Sequence, residues 1–69
     1  MKETHKYKGK HGQIYKFELI SNMTVLFVRR YMDNQFLGTE TYSRSEYNKV
    51  RYAITENMSA LGAVREWSE

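Results

Sequence analysis

The stretch from Phe36 to Ile54, FLGTETYSRSEYNKVRYAI, constrains the fold more than any other part of this chain. It passes from a short alternating strand directly into an amphipathic helix. Ser43 and Glu46 have the spacing of a capping box, in which the serine hydroxyl accepts an orphan backbone N–H and the glutamate reaches back to the N–H of the cap. Behind it, Tyr47, Val50, Ile54, Met58 and Leu61 recur at helical spacing and form one apolar stripe suited to covering a sheet. Lys49, Arg51, Thr55 and Glu56 fall off that stripe and are expected to face water. The helix is expected to start at Arg44 and to end near Asn57 or at Leu61, because Asn57 to Ser59 contains weak helix formers and Gly62 suits a C-terminal cap. In the tail, AVREWSE, Trp67 either folds back onto the core or meets a partner.

Upstream there is room for two more strands. Gln13 to Ser21 alternates, with Tyr15, Phe17 and Leu19 on one face and Lys16 and Glu18 on the other. After a turn at Ser21-Asn22, Met23 to Met32 is rich in β-branched and aromatic residues and reads as the central strand. Asp33-Asn34 suits a tight hairpin turn, and Gln35 to Tyr42 reads as the third strand, with Gly38 marking a bulge or a close backbone approach. The expected fold is therefore α+β, a three-stranded antiparallel β-meander packed against one C-terminal helix (βββα). Residues 1 to 12 read as a basic flexible arm, since their lysines alternate with His, Thr and Gly and only Tyr7 offers an apolar anchor. Gly9 and Gly12 bracket a turn there, and residues 13 to 69 form the single small domain.

Composition narrows the function classes. With 69 residues the core is modest and its margin of stability thin. No cysteine is present, so neither a disulfide framework nor a thiolate zinc site is expected, and His5 and His11 are too few to hold a structural metal. No apolar run approaches the roughly 18 residues of a membrane span, and the amino-terminal lysines lead into no apolar segment, so a cytoplasmic protein is expected. The chain has no phosphate-cradling glycine loop and no Ser-His-Asp grouping, its carboxylates are scattered, and both histidines fall in the arm. No enzyme and no cofactor is expected.

The net charge of +3 arises entirely in the first 16 residues, where Lys2, Lys6, Lys8, Lys10 and Lys16 stand against Glu3. The rest of the chain is close to neutral. A segment of this kind is drawn to polyanions through its long-range field and through counterion release. Arg29 and Arg30 are consecutive in the expected central strand, so they project to opposite faces and one points away from the helix. Two hairpin registers remain open: a loop of Asp33-Asn34 pairs Tyr31 with Phe36, and a loop of Met32 to Asn34 pairs Tyr31 with Gln35. The candidate nucleic-acid-binding residues are Lys6, Lys8, Lys10, Lys16, Arg29 and Arg30.

The third strand and helix carry a resemblance as well. Leu37, Gly38, Thr39, Tyr52 and Ala53, set in the run LGTETYSRSEYNKVRYAI, resemble the plant ethylene-response-type DNA-binding domains and, in outline, the amino-terminal arm-binding domains of phage and transposon integrases. The resemblance implies three antiparallel strands backed by one helix, with the sheet face away from the helix entering the DNA major groove. The chain departs from the plant family in lacking the Arg and Trp residues of its reading strands.

Two functions follow as expectations. The first is a small nucleic-acid-binding protein of phage or mobile-element type that uses the basic arm and the sheet face. The second is a protein-binding module that inhibits or adapts a host protein, or pairs with its own twin as a homodimer. Six Tyr, three Phe and one Trp exceed what so small a core can bury, and Tyr31, Phe36 and Trp67 are the candidate protein interface.

Overall fold

The computed structural model describes the backbone of residues 1–68 and the side chains of residues 1–66. The fold is α+β, with an antiparallel sheet and one C-terminal helix. The strands are β1 (Lys2–Lys8), β2 (Ile14–Ser21), β3 (Val25–Met32), β4 (Gln35–Ser43) and, after a 3₁₀ turn (Arg44–Glu46) and helix α1 (Tyr47–Ala60), β5 (Val64–Ser68). Their order across the sheet is β4-β3-β2-β1-β5, every neighbour antiparallel. No described helix is long and apolar enough to cross a membrane.

The expected three strands are present as β2, β3 and β4, but the sheet has five. The correction falls on the basic arm. Lys2–Lys8 is not a free arm, because it pairs with β2 from Lys2↔Ile20 to Lys8↔Ile14 and with β5 on its other side. Its sequence, KETHKYK, has the period of a strand: Glu3, His5 and Tyr7 alternate with Lys2, Thr4, Lys6 and Lys8. Lysine is a poor strand former on propensity, but pairing on both sides supplies backbone hydrogen bonds that override it. The apolar anchor is Tyr7, which is buried and meets Phe17 edge-on with ring centroids 6.0 Å apart.

Each turn has a local cause. Gly9 N–H donates to the Gln13 carbonyl and Gly12 N–H to that of Gly9, which closes the β1–β2 connection. Between β2 and β3 the Asn22 side-chain oxygen accepts the backbone N–H groups of Thr24 and Val25 at 2.9 and 2.8 Å. Between β3 and β4, Asp33 and Asn34 take positive φ of 49° and 68°, the left-handed pair that a two-residue hairpin turn needs. Tyr31 therefore pairs with Phe36, which settles the register. Leu37 is then the extra residue between Tyr31↔Phe36 and Arg30↔Gly38, a bulge beside Gly38 at φ 140°.

The helix starts later than Ser43 and Glu46 suggest. The first turn is 3₁₀, and neither residue makes a side-chain capping bond. The Ser43 hydroxyl lies 3.0 Å from that of Ser45, while the backbone N–H of Arg44 donates to the Thr24 carbonyl at 2.9 Å. The β2–β3 connection thus receives the chain as it leaves β4. The C-terminus follows expectation: Gly62 at φ 74° sends its N–H to Ser59 and Ala63 sends its N–H to Met58, which is a Schellman closure. Leu61 lies outside the apolar stripe and is 54% exposed, because the helix has already ended at Ala60.

Val50, Ile54 and Met58 from α1 close the core over Tyr7, Phe17, Leu19, Leu26 and Val28 from the sheet. His5 is buried in the same layer. Its Nε2 donates to the Glu3 carboxylate at 3.3 Å, the same oxygen lies 3.7 Å from Arg51 Nε, and Nδ1 has no partner among the described residues. Burial holds the His5 pKa below its ordinary 6.5, and the nearby Arg65 and Arg51 act in the same sense, against the opposing influence of Glu3.

Three measurements check this architecture. Ile54→Ala should cost about 2 to 5 kcal/mol in denaturant titration, since it empties the centre of the helix–sheet layer. Ser43→Ala should change stability by less than about 0.5 kcal/mol, because no capping bond is lost. His5 binds fewer protons folded than unfolded, so its contribution is complete above about pH 6.5 and shrinks as the pH falls toward the lowered folded value. Urea titrations at pH 7.5 and 5.5 should therefore show a loss of stability for the native chain, and a smaller one for His5→Gln.

Candidate nucleic-acid interface

Alternation along paired strands sorts the side chains into two faces. One face meets α1 and carries the core. The other is open, and its rows are set by register: Lys6 opposite Lys16, Lys16 opposite Tyr31, and Tyr31 opposite Phe36. The neighbouring row runs Thr4, Glu18, Arg29, Thr39, and the next runs Lys2, Ile20, Phe27, Thr41. Lys8 and Ile14 complete the open face at the other end of β1 and β2. On β1–β4 this face therefore carries Lys2, Lys6, Lys8, Lys16 and Arg29 against Glu18 alone.

Glu18 is held at the centre of that charge. The Tyr31 hydroxyl donates to it at 3.0 Å, Lys2 Nζ lies 3.6 Å away and Arg29 4.0 Å away. Partial burial acts most strongly on its carboxyl and pushes the pKa up, but the Tyr31 bond with Lys2, Lys16 and Arg29 outweighs this and holds it below the ordinary range. The Tyr31 hydroxyl is pushed up in turn, by partial desolvation first and then by Glu18. Tyr31 is thus oriented by a bond at its hydroxyl end.

The rings of this face lie among its cations. Lys16 Nζ sits 4.3 Å from the Tyr31 centroid, and the Arg29 guanidinium 5.5 Å from that of Phe36 and 6.0 Å from that of Tyr31. Tyr31 and Phe36 are themselves 5.5 Å apart at 56°. Phe36 is 51% exposed and Phe27, further along β3, 38%. Thr39 and Thr41 of β4 fill the same face beside Arg29 and Phe27 with short side chains.

Of the residues expected from sequence, Lys6, Lys8, Lys16 and Arg29 meet on the open face with Tyr31 and Phe36. Arg30 does not join them. It points to the helix side, donates to Glu40 at 2.7 and 3.0 Å, and lies over the Phe17 ring at 5.3 Å. There it lines a cleft of about 260 Å³ with Tyr42, Lys49, Val50 and Ala53. Lys10 lies in the β1–β2 turn, its stem against Gly62 at the helix end, so it too leaves the set. Trp67 pairs through its backbone with Lys6, and its side chain lies outside the described residues. Sequence reasoning overlooked Lys2, Phe27, Thr39 and Thr41 as members of this face; the period-two pattern of KETHKYK was the available signal for Lys2.

No family model matches the chain, and no curated protein or solved structure was found to be similar to it, so the geometry of this face is the ground on which its function is read.

Proposed function

We propose that this chain binds nucleic acid through the open face of its sheet. The observation that carries this reading is the gathering of Lys2, Lys6, Lys8, Lys16 and Arg29 on one side of β1–β3, with Glu18 the one carboxylate among them on β1–β4. Lys6 and Lys16 stand directly opposite each other, so two ammonium groups share one row of the face. A polyanion laid across the face meets this row of cations and releases its own condensed counterions. Contacts of this kind go to phosphates, so they supply affinity and orientation without strong sequence preference. The resemblance to DNA-binding domains that use a sheet face points the same way.

A second reading, a protein-binding module, draws on the apolar end of the β3–β4 hairpin. Met32, Phe36 and Leu37 are 38, 51 and 58% exposed there. The two readings differ in their response to salt. Binding through phosphates should weaken steeply with ionic strength, whereas an apolar protein contact should change little.

Anisotropy titration of a labelled DNA oligonucleotide across a salt series tests the proposal. Replacing Lys6, Lys8 and Lys16 together by Ala should lower affinity at low salt and reduce the salt slope by about 0.7 to 0.9 for each phosphate that is no longer neutralised. Lys49→Ala, on the helix side, should leave both nearly unchanged. Glu18→Gln should strengthen binding, since it removes a negative charge from the centre of the face. Absence of binding at micromolar protein and low salt would leave the protein-binding module as the better reading.

A further inference from the structure

We infer that the ligand of the open face is a single strand, its bases stacked on Phe36 and Phe27 and its phosphates held by Lys16, Lys6 and Lys2. The inference rests on the nucleic-acid reading and names the form of nucleic acid. A duplex offers a protein its phosphates and the edges of its bases, while the flat π-faces of the bases stay inside the stack. Lysines are enough for such a target. Half-exposed phenylalanine rings gain less from it, contact with a thymine methyl or a wedge at a kinked step, than from an open base face, and they are costly to leave in water.

This face holds such rings along β3 and β4. Phe36 and Phe27 have no polar group to anchor in solvent, yet both stand exposed beside Arg29, with the guanidinium 5.5 Å from the Phe36 centroid. Tyr31 lies opposite Phe36 on the same face, fixed through its hydroxyl by Glu18, and packs against it at 5.5 Å, with Arg29 between this pair and Phe27. From Phe27 to Tyr31 is two same-face steps, about 13 Å along β3. Thr39 and Thr41 keep the surface beside them low. The lysines lie to one side, on β2 and β1, about 5 and 10 Å from the β3 axis, while Arg29 stands among the rings. Rings on one side and ammonium groups on the other match the two sides of an unpaired strand, bases and backbone. Stacking of this kind accepts any base, because every base has a π-face.

The test compares a single-stranded DNA oligonucleotide, an RNA of the same sequence and the corresponding DNA duplex, each titrated at one low salt concentration. The native chain should bind both single strands more tightly than the duplex. The comparison of DNA with RNA shows whether the 2′-hydroxyl is recognised. Phe36→Ala and Phe27→Ala should each weaken single-strand binding by about 5-fold to about 150-fold, the range that the loss of one stacked base implies, with an unchanged salt slope. Duplex binding should stay within twofold in the same variants, whose folding can be checked by circular dichroism. Equal or tighter binding of duplex, or equal losses on duplex and single strand, overturns the single-strand inference and leaves the phosphate-binding face intact. Failure to bind any of the three at micromolar protein overturns both.

Discussion

The pairing of β1 with β2 on one side and β5 on the other is the interaction on which the rest of the structure depends. It brings the lysine-rich amino terminus into the sheet, and it places His5 and Tyr7 under the helix. It also gives the short β5 an edge to attach to. Without β1, the β2–β3–β4 meander would leave Phe17 and Leu19 at an uncovered margin, and the helix would have fewer side chains to pack against. For so small a domain, whose stability is a small difference between large terms, that loss would be serious.

The same pairing creates an electrostatic tension. Alternation sends Glu3, His5 and Tyr7 inward and leaves Lys2, Lys6 and Lys8 outward beside Lys16. Glu18 relieves part of this through Lys2, Arg29 and the Tyr31 hydroxyl, but the face on β1–β4 keeps more cations than anions. On the opposite face Arg30 pairs with Glu40 at 2.7 Å, and Arg51 lies 3.7 Å from the carboxylate that also receives His5. On β1–β4 the open face thus carries five cations and one carboxylate, whereas Arg30 and Arg51 on the helix side each have a carboxylate beside them. That asymmetry is the physical basis of the proposed binding face.

The helix is held at its two ends by different means. At its start, a backbone hydrogen bond from Arg44 to Thr24 ties the chain to the β2–β3 connection as it leaves β4. At its end, Gly62 reverses the chain and directs it into β5. The Lys10 stem lies against Gly62, so a Cβ there would collide with it besides being strained at φ 74°. The β1–β2 turn and the α1–β5 turn thus meet at one end of the molecule, which brings β5 alongside β1.

The amino-acid sequence by itself determined β2 and the apolar stripe of α1 through their periodicity, β3 through its β-branched and aromatic content, and β4 through the turn before it. It also located the turns, through Asn22, Asp33-Asn34 and Gly62, whose side chains or conformational freedom act locally, but it left the register at Asp33-Asn34 open. It misled at Ser43 and Glu46, where the capping pattern is present but a long-range backbone bond from the adjoining Arg44 takes part in the hand-off instead. Only the tertiary structure decided that Lys2–Lys8 is a strand, since a lysine-rich segment becomes one when neighbours on both sides satisfy its backbone. It likewise decided that Arg29 faces outward and Arg30 inward. Adjacent residues of a strand are interchangeable in sequence, and only the cross-strand partners, Glu18 and Thr39 for one and Phe17 and Gly38 for the other, separate them.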